Sequence, residues 1–172
     1  MAKTFKTIII DDETPAREMI KSYLKDYANI RVTAECSNGF EGLKAIQKFQ
    51  PDIVFLDIKM PKITGFEMLE LIDEKPVIVF STAFDQYALK AFEVSAADYL
   101  LKPYSRERFD EAMNRAVALT GNRKAHQKII DGLLDHQAKT VEFLGRIVVK
   151  AGSKISIIAV ETLYWLEAQD DY

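Results

Sequence analysis

Two short segments of this chain end abruptly on acidic residues. Residues 53–56 are uniformly apolar and are followed by Asp57, while residues 7–10 are all β-branched and are followed by Asp11 and Asp12. An apolar run without alternation is typical of a strand buried on both faces of a parallel sheet. A carboxylate after such a strand lies at the carboxyl edge of the sheet, where open α/β sheets bind their ligands. Because Asp is also a common turn residue, Asp57 alone leaves both interpretations open.

Two further predicted strands bring a hydroxyl and an ammonium group to the same edge. Thr82 follows the apolar run 77–80, and Lys102 follows the run 99–101. Three carboxylates crowded together repel each other and need neutralisation, which Mg²⁺ provides through oxygen ligands. Together with a lysine and a threonine, such a site suits the transfer of a phosphoryl group onto a carboxylate. Catalysis of that reaction consists mainly of positioning and of neutralising oxygen charge.

Strands and helices alternate along the first two thirds of the chain. Strands are predicted over 7–10, 30–36, 53–56, 77–80 and 99–101. Helices are predicted after Thr14, over 42–49, over 66–72, over 85–92 and over 106–119, and Gly65 is expected to break the chain before the third of them. Thr14 is expected to cap the first helix, with Pro15 in its first turn. The alternation predicts an α/β fold with a doubly wound, five-stranded parallel sheet and right-handed crossovers.

The pattern changes after this α/β domain, which we assign to residues 1–120. Residues 121–140 are polar but carry apolar residues at helical spacing, which indicates a linker that can be helical. The remaining segment, residues 141–172, is β-rich. Its strand-like runs are predicted over 146–150, 155–160 and 163–166, with a turn between the first two.

Composition excludes several classes of protein. The formal net charge of −3 gives no overall attraction to nucleic acid or to an anionic membrane. Cys36 is the only cysteine, so an intrachain disulfide and a Cys2His2 zinc site are excluded. The N-terminal apolar run is too short for a signal peptide, and no run approaches the length of a membrane span. We therefore expect a cytoplasmic protein that has no membrane partner.

The residues at the strand ends resemble those of the receiver domain of two-component response regulators, which has a flavodoxin-like fold. The resemblance covers roughly residues 5–120. It rests on Asp11-Asp12, on the segment LDIKMPKITG that holds Asp57, on Thr82-Ala83 and on Lys102-Pro103. It implies that Asp57 accepts a phosphoryl group from a sensor histidine kinase in a Mg²⁺-dependent reaction. It also implies that the peptide bond between Lys102 and Pro103 is cis.

The same resemblance implies which groups would hold the metal ion. Asp12 and Asp57 would ligate Mg²⁺ through their side chains, and the backbone carbonyl of Lys59 would be a third ligand. Asp11 would hold metal-bound water. These roles are carried over from the matching positions of the family motif.

A switch is also implied by the resemblance. Thr82 would bind a phosphoryl oxygen in the active state, and Lys102 would pair with the phosphoryl group. Tyr99 matches the aromatic switch position, although a half-buried strand position would also explain an aromatic residue there. Movement of these groups would bias the face formed by the predicted helix 85–92, the last strand and the last helix.

The stretch FSTAFDQYALKAFEVSAADYLLKP is similar to receivers that precede LytTR-type DNA-binding domains. Residues 141–172 resemble the opening strands of such a domain. Leu166, Ala168 and Tyr172 have the spacing of its I-x-A-x-x-x-Y segment, with Leu in place of Ile. The family's base-contacting segments would lie largely beyond Tyr172.

We therefore expect a truncated regulator, in which residues 141–172 are an N-terminal fragment of a LytTR-type domain. These residues include three basic and five acidic side chains, so they lack the positive charge that drives non-specific DNA binding. Promoter DNA is expected to be a partner of the full-length protein and not of this fragment. The β segments are expected to be mobile or to pair with a neighbouring chain in a homodimer.

Two alternatives to a phosphorylation-controlled transcription regulator remain open. Phosphatases of the haloacid dehalogenase type use an aspartyl nucleophile on a similar scaffold, but they carry D-x-D after the first strand, where this chain has Asp11-Asp12. A non-phosphorylated interaction module would need a pocket that cannot take phosphate, although every expected group is present. We expect a binding switch and not a turnover enzyme.

Overall fold

The computed structural model describes residues 3–84, 96–120, 146–151 and 154–159. Its first part confirms the predicted α/β fold, with a five-stranded parallel sheet in the order β2-β1-β3-β4-β5. The strands are β1 (Phe5–Ile10), β2 (Ile30–Cys36), β3 (Ile53–Leu56), β4 (Val77–Thr82) and β5 (Asp98–Leu101). The helices are α1 (Thr14–Leu24), α2 (Gly39–Phe49), α3 (Gly65–Glu70) and α4 (Arg106–Thr120). The helix predicted over residues 85–92 lies outside the described residues.

The parallel register brings the carboxyl ends of the central strands to one level. Ile10 at the end of β1 pairs with Leu56 at the end of β3, and Thr82 at the end of β4 pairs with Leu101 of β5. Hydrogen bonding continues past the strand ends, because the Asp57 amide donates to the Ile10 carbonyl at 2.9 Å. This alignment places the residues that follow each strand side by side.

Helices cover both faces of the sheet, as a doubly wound fold requires. On one face, Phe109 of α4 is fully buried and stacks on Phe55 of β3, with ring centroids 5.3 Å apart. Tyr23 of α1 packs against the same Phe109 ring at 5.1 Å. On the other face, Phe66 of α3 packs against Phe80 of β4 at 5.1 Å. The inner strands β3 and β4 are buried throughout, which explains their continuous apolar sequences.

The helix starts follow local sequence signals with one correction. Asn38 caps α2 by accepting a hydrogen bond from the Glu41 amide at 3.0 Å, and Thr64 forms a capping box at the start of α3. The prediction that Thr14 caps α1 is wrong. Thr14 is the first helical residue, and Glu13 occupies the N-cap position without a side-chain cap bond. Instead, the Thr14 hydroxyl accepts a hydrogen bond from Arg17.

Two compact units are distinguished by their internal packing, Met1–Gln137 and Ala138–Tyr172. The described part of the second unit is an antiparallel hairpin of β6 (Arg146–Ala151) and β7 (Lys154–Ala159). Its ends match the two strand-like runs of the sequence, whereas residues 121–140 and 163–166 lie outside the described residues. None of the helices in the described ranges is long and apolar enough to cross a lipid bilayer.

Candidate functional site

Three carboxylates meet at the carboxyl edge of the sheet. Asp11 and Asp12 follow β1, Asp57 follows β3, and one oxygen of each lies within 4.8 Å of the others. Asp11 and Asp57 are buried, whereas Asp12 is exposed. The structure thus brings together the three acids that the sequence placed at the ends of two strands.

Lys102 projects into this acidic cluster from the end of β5. Its Nζ lies 2.7 Å from Asp11 Oδ2, 3.2 Å from Glu13 Oε2 and 3.8 Å from Asp57 Oδ2. Burial disfavours the ammonium charge, but the hydrogen bond to Asp11 and the surrounding acids outweigh burial and raise the pKa of Lys102. The side chain therefore stays charged and neutralises part of the cluster.

Two hydrogen bonds hold the loop that carries Lys102. The Lys102 amide donates to the Thr82 carbonyl at 2.8 Å, which extends the β4–β5 ladder. The Lys102–Pro103 peptide bond is cis, as the resemblance implied. Next to it, the buried Tyr104 hydroxyl shares a 3.0 Å hydrogen bond with Ser81, and burial raises the pKa of Tyr104 to about 12. The two hydrogen bonds thus tie the backbone on either side of the Lys102 side chain to β4.

Asp57 is only 5% exposed and is held by its own loop. Its Oδ1 accepts a 2.6 Å hydrogen bond from the Ile58 amide. Burial raises the pKa of Asp57, while the Thr82 hydroxyl, the charge of Lys102 and the Ile58 amide oppose that rise. Asp11 shows the same balance, because burial raises its pKa against the hydrogen bonds from Lys102 and from the Glu13 amide. Both charges are incompletely neutralised by the protein.

This donor set fits a hard divalent cation. Mg²⁺ prefers oxygen ligands and binds through one or two carboxylates plus waters and phosphate oxygens. Two buried carboxylates with raised pKa values, next to the exposed Asp12, would gain from the positive charge of such an ion. The Lys59 side chain is exposed, and its Nζ lies 4.1 Å from the centroid of the Phe84 ring. The metal role of the Lys59 carbonyl stays a prediction.

The two predicted switch residues occupy neighbouring strands. Thr82 is fully buried, and its hydroxyl makes no hydrogen bond of ordinary geometry within the described part of the chain, although it lies close enough to lower the pKa of Asp57. Tyr99 is 8% exposed, and its hydroxyl donates a hydrogen bond to the Phe84 carbonyl. The Tyr99 ring is therefore directed inward in this structure.

Sequence reasoning missed residues that shape the site from outside the strand ends. The sequence indicates Gly65 only as a break in the chain, yet a Cβ at this position would lie 2.4 Å from the Asp57 carbonyl oxygen. Arg17 of α1 donates a 2.7 Å hydrogen bond to the Asp11 carbonyl. Glu13 contacts Lys102, 89 residues away in the sequence. The only local signal for these residues is their closeness in sequence to Asp57 or Asp11.

Comparison with known proteins places this site in a family. A family model described as the response regulator receiver domain matches residues 7–114. The transcriptional regulatory protein BtsR of Escherichia coli (strain K12) is 48% identical over 112 residues, which are 64% of this chain and 47% of BtsR. An uncharacterized response regulatory protein of Yersinia pestis is 37% identical over 166 residues, which are 95% of this chain and 66% of that protein. The chain thus spans about half the length of BtsR.

Solved structures agree with the sequence relatives. The response regulatory domain of mrkE from Klebsiella pneumoniae is 32% identical, with a TM-score of 0.58 over 70% of this chain and 98% of that domain. The receiver domain of AraT from Geobacillus stearothermophilus is 30% identical, with a TM-score of 0.61 over 70% of this chain and 99% of that domain. The matched sequence, the parallel sheet and the acidic edge all agree. This chain therefore belongs to the response regulator receiver domain family.

Proposed function

We propose that this chain is the phosphoacceptor part of a transcription regulator and that Asp57 receives the phosphoryl group. The observation that carries the proposal is the position of Asp57, which lies beside both the Asp11–Asp12 pair and Lys102, with Lys102 Nζ 3.8 Å from its Oδ2. A carboxylate nucleophile needs the charge of the incoming phosphoryl oxygens to be neutralised by fixed cations. Lys102 and a bound Mg²⁺ would supply that charge.

The chemistry assigned to the chain is a displacement at phosphorus. A carboxylate oxygen of Asp57 forms a bond to phosphorus, and the bond from phosphorus to the phosphodonor breaks with its electron pair leaving on the donor. Lys102 pairs with the phosphoryl oxygens, and the Thr82 hydroxyl donates to one of them. A bound Mg²⁺ would neutralise oxygen charge, with Asp12, Asp57 and the Lys59 carbonyl as its protein ligands and Asp11 holding metal-bound water.

The output is a change of conformation and not the release of a product. When the Thr82 hydroxyl engages a phosphoryl oxygen, the equilibrium shifts toward the conformations in which that contact forms. Tyr99 on the adjacent strand moves with it and carries the change to the β5 and α4 side of the domain. We infer that the chain works as a switch, since its acids lie on two strands and not in the D-x-D arrangement of the phosphatases considered above.

The partners follow from this role. A sensor histidine kinase is the proposed phosphodonor, and promoter DNA is the proposed target of the complete regulator. The relatives named as transcriptional regulatory proteins support a DNA-directed output. We further propose that residues 121–140 are a linker and that residues 141–172 belong to a LytTR-type DNA-binding domain, to which the hairpin of β6 and β7 would contribute.

Replacement of the acceptor tests the proposal. Asp57→Asn is expected to abolish the phosphoryl adduct that forms with acetyl phosphate and Mg²⁺, because the amide preserves the shape and removes the nucleophile. Intact mass spectrometry measures the adduct. Asp26→Asn is the matched control, since Asp26 is a surface acid that pairs with Arg106, and this variant should be modified like the wild type. An undiminished adduct on Asp57→Asn would contradict the assignment.

A further inference from the structure

Glu13 is an acid that the proposed phosphoryl chemistry does not use, yet its carboxylate contacts the lysine of the site. Its side chain is 63% exposed, and its Oε2 lies 3.2 Å from Lys102 Nζ. The same Nζ lies 2.7 Å from Asp11 and 3.8 Å from Asp57. Two carboxylates at the β1–α1 connection therefore bind the ammonium more closely than the proposed acceptor does.

We propose that Glu13 is a positioning residue that holds Lys102 away from Asp57 and thereby limits the rate of phosphorylation. The inference rests on the proposed function of Asp57. A lysine ammonium has three donors, and two of them are directed to Asp11 and Glu13 in this structure. To pair with a phosphoryl group on Asp57, Nζ has to give up part of these contacts.

Asp11 and Glu13 differ in whether they would still bind Lys102 after a cation binds at the acidic cluster. Asp11 is buried and belongs to the acidic cluster, so a cation at the cluster would compete with Lys102 for its charge. Glu13 lies outside the cluster, and its carboxylate contacts only Lys102 within the described residues. With the cation bound, Glu13 is therefore the remaining competitor for the ammonium. An exposed ion pair of this kind changes an equilibrium by up to about five-fold.

A second explanation would also predict faster phosphorylation without Glu13. Its negative charge could repel an anionic phosphodonor without any contact to Lys102. Glu13→Asp separates the two effects, because it keeps the charge but is one methylene shorter. At the N-cap, an Asp side chain also tends to accept a hydrogen bond from the first turn of the helix, which draws it away from Lys102.

The experiment compares initial rates of adduct formation by intact mass spectrometry, with acetyl phosphate and Mg²⁺ as the probes. Glu13→Gln and Glu13→Asp are both expected to react about two- to five-fold faster than the wild type. Glu18→Gln is the matched control, since Glu18 pairs with Lys21 on the same helix, and its rate should not change. Crystal structures with Mg²⁺ should show Lys102 Nζ closer to Asp57 Oδ2 in Glu13→Gln than in the wild type, whereas the two atoms are 3.8 Å apart here.

The outcomes distinguish the inference from the proposed function. Unchanged or slower rates in both Glu13 variants overturn the inference. A faster rate that is limited to Glu13→Gln also overturns it, because the loss of the negative charge alone then explains the faster rate. A wild-type chain that takes no phosphoryl group overturns the proposed function. In that case, the distance between Lys102 and Asp57 in the crystal structure of Glu13→Gln decides alone whether Glu13 restrains the lysine.

Discussion

Asp57 and Asp11 are buried carboxylates whose negative charge the protein neutralises only in part. Burial raises the pKa of Asp57 above its ordinary value of 3.8, so the folded chain binds more protons than the unfolded chain just above that value. The free energy of unfolding therefore falls as the pH rises from 3.8 through the folded-state pKa of Asp57. This loss of stability is complete once the pH lies above the folded-state pKa of Asp57. A cation bound at the site would partly restore the free energy of unfolding that is lost in this way.

This balance predicts that Asp57→Asn raises the stability of the metal-free protein at neutral pH, because it removes a charge that burial disfavours and that Asp11 repels. The increase should disappear at acid pH, where the wild-type carboxyl is protonated. Mg²⁺ should stabilise the wild type more than the variant, since a ligand stabilises the state that binds it. Urea denaturation with EDTA or Mg²⁺ measures these differences. A metal-free variant that is less stable than the wild type at neutral pH would refute the argument.

Gly65 lies directly against the backbone of the proposed acceptor, Asp57. A methyl group here would lie 2.4 Å from the Asp57 carbonyl oxygen, while the Gly65 amide donates to the Ile58 carbonyl at 2.8 Å. We expect Gly65→Ala to push the Asp57 loop outward, to cost about 1–3 kcal/mol of stability and to slow phosphorylation. Gly42→Ala serves as a control, because its Cβ would meet side-chain atoms of Ile10 and Met68. Equal phosphorylation rates in the two variants would argue against a specific role of Gly65.

At the scale of the elements, β5 and α4 are joined by an ion-pair cluster next to Tyr99. The buried Asp98 accepts hydrogen bonds from Arg108 and from Arg115, the latter at 2.6 Å. Arg108 also donates to the Tyr99 carbonyl at 2.9 Å. Burial acts to raise the pKa of Asp98, but the two arginines and the Tyr99 amide outweigh burial and lower it. The cluster therefore fixes the backbone of the strand that carries the predicted switch residue.

Asp98→Asn should release Arg108 and Arg115 and loosen the link between β5 and α4. We expect a loss of about 1.5–3 kcal/mol, the usual range for hydrogen bonds to charged groups. Because the pKa of Asp98 is lowered in the folded chain, its contribution is present above the ordinary value of 3.8 and is lost as the pH falls below it. Urea denaturation from neutral to acid pH measures this loss. A variant as stable as the wild type at neutral pH would contradict the expectation.

The strands and their ends could be predicted, because burial on both faces leaves a direct trace in the sequence. Residues 53–56 and 77–80 were predicted to be buried strands, and all of them are buried in the structure. The pairing of Asp98 with Arg108 and Arg115 left a weaker trace, because the sequence offers Asp98 and Arg115 as charges for pairing on this face but does not single out Arg108. It depends on how α4 packs over β5, which periodicity does not reveal. The prediction that Thr14 caps α1 was wrong for a related reason. The Thr14 hydroxyl accepts its hydrogen bond from the Arg17 side chain.

Phe109 shows how the core holds the elements that position the site. Its ring stacks on Phe55, two residues before Asp57, and packs against Tyr23 and Tyr104. It thereby connects α1, α4, β3 and the loop that follows Lys102. The helical spacing of Phe109, Met113 and Ala116 predicts that this residue faces inward. The stacking geometry could not be predicted, because it depends on side chains from four separate segments.

At the scale of the whole molecule, the site is connected to the edge strand of the sheet. The strand β5 lies at the edge and carries Leu101, which is 42% exposed and is the exposed large hydrophobic residue within the described ranges. The residue after it, Lys102, contacts Asp11 at the site. A change in the position of Lys102 or of Tyr99 would therefore reach this surface through a single short strand.

We therefore expect beryllofluoride with Mg²⁺, a stable mimic of the phosphoryl group, to shift the chain toward a self-associated state through the β5 edge. The shift requires that the phosphoryl mimic makes contacts that differ between the two conformations, and Thr82 and Tyr99 are the residues proposed to provide them. Sedimentation velocity with and without beryllofluoride measures the association, and tyrosine spectroscopy of the wild type and of Tyr99→Phe reports the Tyr99 environment. Leu101→Asn should weaken the association without affecting the binding of beryllofluoride, since the Leu101 side chain faces solvent and not the acids. If neither the assembly state nor the Tyr99 signal changes on binding, the proposed route from Asp57 to the β5 edge is wrong.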